Sequence, residues 1–336
     1  MSFERQFFQL NSRIFGTSGI VGNLFSLFLI FSIKNSETNN FRSLLILYCC
    51  VDISYCIFHI WAQPGFAIVD NVYIYFSYSI TEQTVFGKVL LAIFAFLFIE
   101  SITVLMTLFA VRFNSIKNIQ SKSPQTSIFL KIFIVLSILI FPSLYCLAIF
   151  VLWEKKGVTD EQMNEIAQKL LETEHIVAFA VRTNSTDPTV IQSRKTFSLA
   201  MLVILFEISA IIFCGAYVSL SLRKISASDK TRKLQKQILI YHVTQTACVF
   251  FCCGFHVTLF SITSSSGKST DIIGTISSAA LVWFPTFDFV ILCSCLSSYR
   301  NAIKRIYYAL IGTGPIGTSG TVSQMQTNNH SIVTKM

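Results

Sequence analysis

Seven long runs of apolar residues set the strongest limit on how this chain can fold. Each run holds about 20 residues, the length that a helix rising ~1.5 Å per residue needs to cross the ~30 Å hydrocarbon core of a bilayer. None shows the period-two alternation of a membrane β-strand, so helices are favoured over a barrel. Charged residues make up 13% of the chain, about half the share in a soluble domain. The sequence predicts an all-α membrane protein with a seven-transmembrane helix bundle over residues 14–296. The runs are residues 14–33, 44–61, 89–111, 128–153, 197–222, 237–262 and 272–296.

The distribution of Lys and Arg predicts the orientation. An odd number of spans puts the two termini on opposite sides, and cytoplasmic segments carry the excess of basic residues. With an external amino terminus (residues 1–13), 16 of the 26 basic residues lie inside. Four basic residues at the ends of the long connection 154–195 argue against this assignment: Lys155, Lys156, Arg194 and Lys195. The short outer connections carry few basic residues. The distribution of basic residues therefore favours an outer amino terminus and a cytoplasmic carboxyl terminus.

The long connection 154–195 carries signals of its own. Thr159 followed by Gln162 is a capping-box pattern, and apolar residues at helical spacing follow it. We expect a short amphipathic helix, which is either a surface helix resting on its neighbours or a lid over a binding cavity. Asn184 begins an Asn-Ser-Thr triplet that is typical of glycosylation on an outer surface. Asn329 begins a similar triplet in the tail that is predicted to be cytoplasmic, so the signal is weak alone.

Two different segments follow the seventh run. Residues 297–310 place apolar side chains on one helical face and basic side chains beside it, which predicts an amphipathic helix lying along the inner leaflet. Residues 311–336 are rich in Gly, Ser, Thr, Gln and Asn, which predicts a disordered cytoplasmic tail.

Local motifs narrow the class of membrane protein. Over about residues 14–310 the chain resembles the nematode serpentine chemoreceptors of the Str superfamily. The motifs that carry this resemblance are Gly22-Asn23, Gln63-Pro64, Val111-Arg112-Phe113, Leu234-Gln235-Lys236-Gln237, Pro285-Thr286-Phe287-Asp288 and Tyr299-Arg300. The resemblance implies a rhodopsin-like G-protein-coupled receptor architecture. It also implies an odorant-type chemosensory receptor in the plasma membrane, within the ciliary membrane of sensory neurons, that signals through a heterotrimeric G protein.

The chain departs from these patterns at two places. Phe289 follows Asp288 where the family commonly has Pro, so a bend in the seventh helix must depend on Pro285. Cysteine is absent from the outer end of the third run and from the long connection. The disulfide that joins these two parts in rhodopsin-like receptors therefore cannot form.

Polar side chains near mid-membrane predict a ligand site. Ionisable residues inside a bilayer are costly and are functional hypotheses by default. Glu100 and Thr103 share one face of the third helix, Glu207 is central in the fifth, and His256 lies in the outer half of the sixth. Together they could orient a small polar or basic molecule in an outer cavity with aromatic walls. The alternative is that each side chain binds a neighbour's hydroxyl and touches no ligand.

A second polar group predicts a conformational switch. Asn23, Asp52 and Asp288 lie on the first, second and seventh helices at depths that would bring them together. They could form a hydrated cluster that rearranges when the helices move. The alternative is a neutral, hydrogen-bonded core cluster.

Basic residues at the cytoplasmic ends predict the surface that meets a G protein. Arg112 closes the third helix, with Val111 where rhodopsin-like receptors carry an acid. It could reach the G protein in an active state, or it could anchor the helix end at the inner leaflet. We expect the basic segment before the sixth helix to meet anionic lipid and an acidic patch of the partner. Its residues are Lys230, Arg232, Lys233 and Lys236.

Other function classes find no support in the motifs. The sequence has no phosphate-binding loop, no HExxH, no GxSxG and no paired CxxC, so we expect neither an enzyme nor a cofactor. Cys252, Cys253 and His256 are close in sequence but match no metal site. The basic residues form no stripe for nucleic acid. A ligand-gated channel or a small-solute transporter is the main alternative, and such proteins show broken helices and often repeats. The favoured partners are a small-molecule odorant, a heterotrimeric G protein and the lipid membrane.

Overall fold

In the computed structural model, the described residues form a bundle of long helices and a three-stranded β-sheet. The structure describes residues 3–33, 39–80, 85–121, 128–151, 157–173, 175–182, 184–224, 229–254 and 271–311.

Long apolar helices form the body of the molecule. Five helices in the described ranges are long and apolar enough to cross a membrane, and a bent pair of helices forms a sixth candidate. The five are α1 (Phe3–Ser32), α2 (Asn39–Ala62), α3 (Val85–Ser121), α4 (Ile128–Val151) and α6 (Pro188–Lys224). The bent pair is α8 (Asp271–Leu281) with α9 (Trp283–Cys295).

The sixth predicted span is described only in part. Helix α7 covers Asp229–Val249 and continues into a π-helical turn, Phe250–Gly254. The rest of the predicted run 237–262 lies outside the described residues. The last helix, α10 (Ser297–Ile311), lies where the amphipathic helix was predicted, and the tail beyond it is outside the described residues.

Helix α3 is the centre of the bundle. It packs against α2, α4 and α6, and most of its apolar side chains are buried. Helix α4 is much less buried, because apolar side chains such as Ile132, Leu136 and Leu147 remain exposed. An apolar helix that leaves this much surface uncovered fits a bilayer, where lipid covers the outer face.

A three-stranded antiparallel sheet closes one end of the bundle. The strands are β1 (Pro64–Val69), β2 (Val72–Ser77) and β3 (Ala178–Arg182), in the order β1-β2-β3. A tight turn joins β1 to β2, with positive φ angles of 50° at Asp70 and 61° at Asn71, as the turns that favour hairpins require. We call this the sheet end of the bundle, and the end where α10 begins the tail end.

The two faces of the sheet pack against different layers. Tyr73, Tyr75 and Phe179 belong to the same core as the bundle helices. Val72 and Ile74, on the opposite face, belong to a separate core with the helix α5 (Asp160–Leu171). The sheet is thus a buried layer between the bundle and α5.

Helix α5 has the predicted capping box. The Gln162 amide donates to the Thr159 hydroxyl, and the Thr159 amide donates to the Gln162 side chain, both over 3.3 Å. Met163, Ile166 and Leu171 are buried against the sheet. The helix therefore covers the sheet, and the sheet is the layer that contacts the bundle.

Gly274 in α8 allows that helix to approach the sheet. A Cβ atom on Gly274 would collide with the backbone carbonyl of Phe66 in β1. We predict that Gly274→Ala lowers the free energy of unfolding by about 1–3 kcal/mol, the usual cost of overpacking. Thermal unfolding can be followed with a thiol-reactive dye, since several native cysteines are buried.

A matched control for this substitution is Gly215→Ala in α6. A Cβ atom there would lie 3.1 Å from the ring of Phe109, a side chain that can shift, and not against backbone. Equal losses of stability in the two variants would contradict the close packing of α8 on β1.

Candidate functional site

Two buried carboxyl groups, those of Glu100 in α3 and Glu207 in α6, lie near Thr103. The Thr103 hydroxyl lies 2.5 Å from Oε1 of Glu207 and 3.0 Å from the Ile99 carbonyl oxygen. Glu100 is one helical turn before Thr103 and is close enough to Glu207 for a charge on one carboxyl to act on the other. The exposed fractions of Glu100 and Glu207 are 5% and 0%. We call Glu100, Thr103 and Glu207 the acidic site.

Two carboxyl oxygens of the acidic site accept no hydrogen bond from any described residue. Oε2 of Glu100 and Oε2 of Glu207 are buried and have no hydrogen-bond partner in the part of the chain that the structure describes. Buried polar atoms are almost always satisfied in proteins, and an unpaired buried carboxylate is costly. This arrangement can accept a protonated or hydrogen-bond-donating group.

The structure thus brings together three of the four predicted ligand residues. His256 lies outside the described residues. Thr107 continues the same face of α3, but its hydroxyl lies 2.7 Å from the Val104 carbonyl of its own helix. A surface pocket of about 570 Å³ lies elsewhere, on the outer side of α5.

A second pair of carboxyl groups lies between α2 and α9. Oδ1 of Asp52 accepts a hydrogen bond from Ser101 over 3.1 Å, and Oδ2 of Asp288 accepts one from the Tyr48 hydroxyl. The two carboxyls are close enough for the charge on one to act on the other. Both side chains are buried, with exposed fractions of 0% and 3%.

The predicted switch residues are therefore neighbours, although Asn23 contacts backbone. Its side-chain amide lies 3.0 Å from the Gly19 carbonyl and 3.2 Å from the Pro285 carbonyl. Asn23 thereby joins α1 to α9 one turn before Asp288. We call Asn23, Asp52 and Asp288, together with Tyr48, the switch cluster.

Helix α7 adds two residues that the sequence did not single out. The side chain of Gln245 faces Asp288 and His242, but no described atom lies within hydrogen-bonding geometry of its amide. The imidazole of His242 is buried, lies 5.0 Å from the Phe109 ring and is within electrostatic range of Arg112. Both are polar side chains within an apolar run and one turn apart, which is the signal that could have identified them.

The tail end carries the residues predicted to meet a G protein. Arg112 is 1% exposed, so in this arrangement its guanidinium lies inside the bundle. Lys233 and Lys236 are exposed on the first turns of α7. Lys230 and Arg232 belong to the same helix, but their side chains are outside the described residues.

At the sheet end, Asn184 is exposed between β3 and α6. Among the residues that can be described, no three His, Cys, Asp or Glu side chains converge as a metal site. The thiols of Cys248 and Cys252 lie 3.9 Å apart, whereas the side chains of Cys253 and His256 lie outside the description.

Comparison with known proteins identifies the family. No curated protein matches the chain by sequence. The solved crystal structure of squid rhodopsin is similar with a TM-score of 0.53 and 11% identity, over 93% of this chain and 88% of the rhodopsin chain. This likeness confirms the predicted rhodopsin-like seven-transmembrane fold. The family model described as "Serpentine type 7TM GPCR chemoreceptor Str" matches residues 8–304. The chain therefore belongs to the Str family of serpentine seven-transmembrane chemoreceptors, as the sequence motifs predicted.

Proposed function

We propose that this protein is a chemosensory receptor that binds a small molecule at the acidic site and activates a heterotrimeric G protein at the tail end. The proposal is based on two buried carboxyl groups, Glu100 of α3 and Glu207 of α6. Each has a carboxyl oxygen that accepts no hydrogen bond from the described residues. Membership of the family supports a chemical ligand and a G protein as partners. The proposal includes no catalytic step.

The position of the acidic site explains how binding could act on the rest of the bundle. Glu100 and Thr103 are on α3, the helix that also carries Ser101 of the Asp52 contact. Glu207 is on α6, which packs along α3. A ligand that fits only one spacing of α3 and α6 stabilises that arrangement by its differential affinity, and by nothing else. A small shift of α3 would then alter the Ser101 contact in the switch cluster.

The switch cluster is proposed to respond to helix movement. Tyr48 and Asp52 belong to α2 and Asp288 belongs to α9, so the hydrogen bond from Tyr48 holds these two helices together. Gln245 of α7 faces the same carboxyl. An outward movement of α7 would remove this neighbour and uncover Arg112, which is buried close to His242.

We further propose that the sheet end faces outward and the tail end faces the cytoplasm of a sensory neuron, in the plasma membrane of its cilium. The exposed Asn184 is at the sheet end, where a glycan would be accessible. The exposed Lys233 and Lys236 are at the tail end, which fits the excess of basic residues on cytoplasmic segments.

A paired screen tests the proposed function. Cells expressing the full chain with a promiscuous Gα subunit would be exposed to straight-chain primary amines and to alcohols of equal carbon number, with calcium as the readout. We expect calcium responses that require the Gα subunit. Ion currents evoked without a G protein would contradict the proposal and favour a channel.

Neutralising the basic segment is expected to uncouple the receptor. We predict that replacing Lys230, Arg232, Lys233 and Lys236 by Gln lowers the rate of receptor-catalysed nucleotide exchange by about tenfold or more, because the charges attract an acidic patch. The rate is measured as GTPγS uptake in reconstituted vesicles of neutral lipid.

A control variant also removes four positive charges from the tail end. Its four substitutions to Gln replace exposed basic residues of α3, α4 and α10: Lys117, Lys131, Lys304 and Arg305. An equal loss of exchange in both variants would show a general charge effect and contradict a specific role for the segment before α7.

A further inference from the structure

The seventh span is broken into two helices that lie at 43° to each other, with Val282 between them. Pro285 accounts for the break, because it has no amide proton to donate to the carbonyl four residues earlier, at Leu281. Tyr55 of α2 supplies the missing donor, and its hydroxyl lies 2.9 Å from that carbonyl oxygen.

One side chain of α1 holds both halves of the broken span. The Asn11 amide nitrogen donates to the Ala279 carbonyl of α8 over 2.9 Å. The Asn11 amide oxygen accepts from the Trp283 indole of α9, also over 2.9 Å. Asn11 is 6% exposed, so water cannot readily replace either bond. Replacing Asn11 would leave a buried carbonyl oxygen and a partly buried indole without these partners.

Hydrogen bonds and a close backbone approach hold helix α8 against the sheet. The Phe66 amide of β1 donates to the Ser278 hydroxyl over 3.0 Å, and the hydroxyls of Tyr78 and Thr275 lie 3.1 Å apart. The close approach of Gly274 to β1 adds backbone contact. Displacing the sheet without α8 would break all of these contacts.

Hydrogen bonds hold helix α9, which follows the break, against α1 and α2. The Thr286 hydroxyl donates to the Phe15 carbonyl of α1 over 2.9 Å. Asn23 donates to the Pro285 carbonyl, and Asp288 accepts from Tyr48. The two halves of the span therefore have different neighbours: α8 contacts the sheet, and α9 carries a carboxyl of the switch cluster.

We propose that Asn11 is a positioning residue that fixes the angle between α8 and α9. Through this residue a displacement of the sheet and α5 becomes a displacement of Asp288. The purpose of the link, carrying a stimulus from the sheet end to the switch cluster, depends on the proposed function. The role of Asn11 in fixing the angle between α8 and α9 does not depend on that function.

Distance distributions in the full chain test the link, measured by pulsed electron resonance in nanodiscs without ligand or G protein. Nitroxides would be attached to a genetically encoded keto amino acid, so that the native cysteines stay unchanged. One label pair, at the exposed positions Ile276 and Val290, spans the break. A second pair, at Gln168 and Ile276, joins α5 to α8.

We expect Asn11→Leu to widen the Ile276–Val290 distribution about twofold, because the angle between α8 and α9 is no longer fixed. The Gln168–Ile276 distribution should stay unchanged, because the contacts between α8 and the sheet remain. The matched control is Thr286→Val, which removes a bond of equal length between α1 and α9 alone and should leave both distributions narrow. If Asn11→Leu does not fold, Trp283→Phe removes one of the two bonds and should widen the first distribution to a smaller extent.

Three results would overturn the proposal. They are an unchanged Ile276–Val290 distribution in the Asn11 and Trp283 variants, equal widening in Thr286→Val, and widening of the Gln168–Ile276 pair. None of them bears on ligand binding or G-protein activation. Conversely, a failed odorant screen would not alter these distances, so the two proposals can fail separately.

Discussion

Replacing Glu207 by glutamine is expected to lower the potency of an activating amine by about 10- to 100-fold, which corresponds to about 1.4–2.7 kcal/mol of binding free energy. The amide oxygen of glutamine can still accept the Thr103 hydrogen bond, so the contact between α3 and α6 is retained. The substitution removes the ability of this side chain to ionise opposite an ammonium group, together with half of its acceptor capacity, at a position that is 0% exposed. The measurement is the calcium dose–response curve of the most active amine in the screen.

Two comparisons make this result specific. Glu165→Gln is the same chemical change on the exposed side of α5 and should leave potency unaltered. The alcohol of equal length carries no charge, so its potency should fall less in Glu207→Gln. Unchanged amine potency in both Glu100→Gln and Glu207→Gln, with normal surface expression, would place the ligand elsewhere.

Asp288→Asn is expected to reduce the ligand-evoked exchange rate about tenfold while leaving the receptor as stable as the native chain or more stable. The asparagine oxygen can still accept from Tyr48. Its amide group adds donors opposite Asp52, whose Oδ2 has no partner in the described part of the chain. Replacing one of two adjacent buried carboxyls also removes their mutual repulsion when both are charged. The resting arrangement is thereby stabilised, and the active one becomes harder to reach.

Thermal unfolding and GTPγS uptake, measured on the same preparation, separate stability from signalling. Asp70→Asn is the matched control, because Asp70 pairs with Lys169 at an exposed position on the sheet end, and exposed pairs contribute little. Unaltered signalling and unaltered surface expression of Asp288→Asn would exclude a switching role for the cluster.

The spanning helices and the pairing of the buried acids followed from the sequence. Apolar runs of fixed length identify helices because the bilayer sets their length. Asp52 and Asp288 could be predicted as neighbours because buried ionisable groups must face the bundle interior. The capping box at Thr159 was predicted because it depends on two residues three positions apart.

The sheet was not predicted, for a physical reason. Strands β1 and β2 are buried on both faces, so they show no polar alternation, and short apolar runs do not distinguish a strand from a helix. The pairing of β2 with β3 joins segments that are about 100 residues apart. The turn at Asp70 and Asn71 was the available signal.

Long-range partners were missed for a related reason. Tyr48 was counted as part of an apolar run, although its hydroxyl is the donor to Asp288. Asn11 precedes the first apolar run and was placed in the external segment 1–13, whereas α1 begins at Phe3 and buries it. Which backbone carbonyl needs a donor depends on where a helix breaks, and this is visible only in three dimensions.

The proposed topology crosses the membrane seven times and places the acidic site between an outer sheet end and an inner tail end. This topology can be tested with short epitope tags before Phe3 and after Met336, probed by antibody on intact and on permeabilised cells. We expect the amino-terminal tag to be stained on intact cells and the carboxyl-terminal tag to be stained only after permeabilisation. Staining of both tags on intact cells would contradict it.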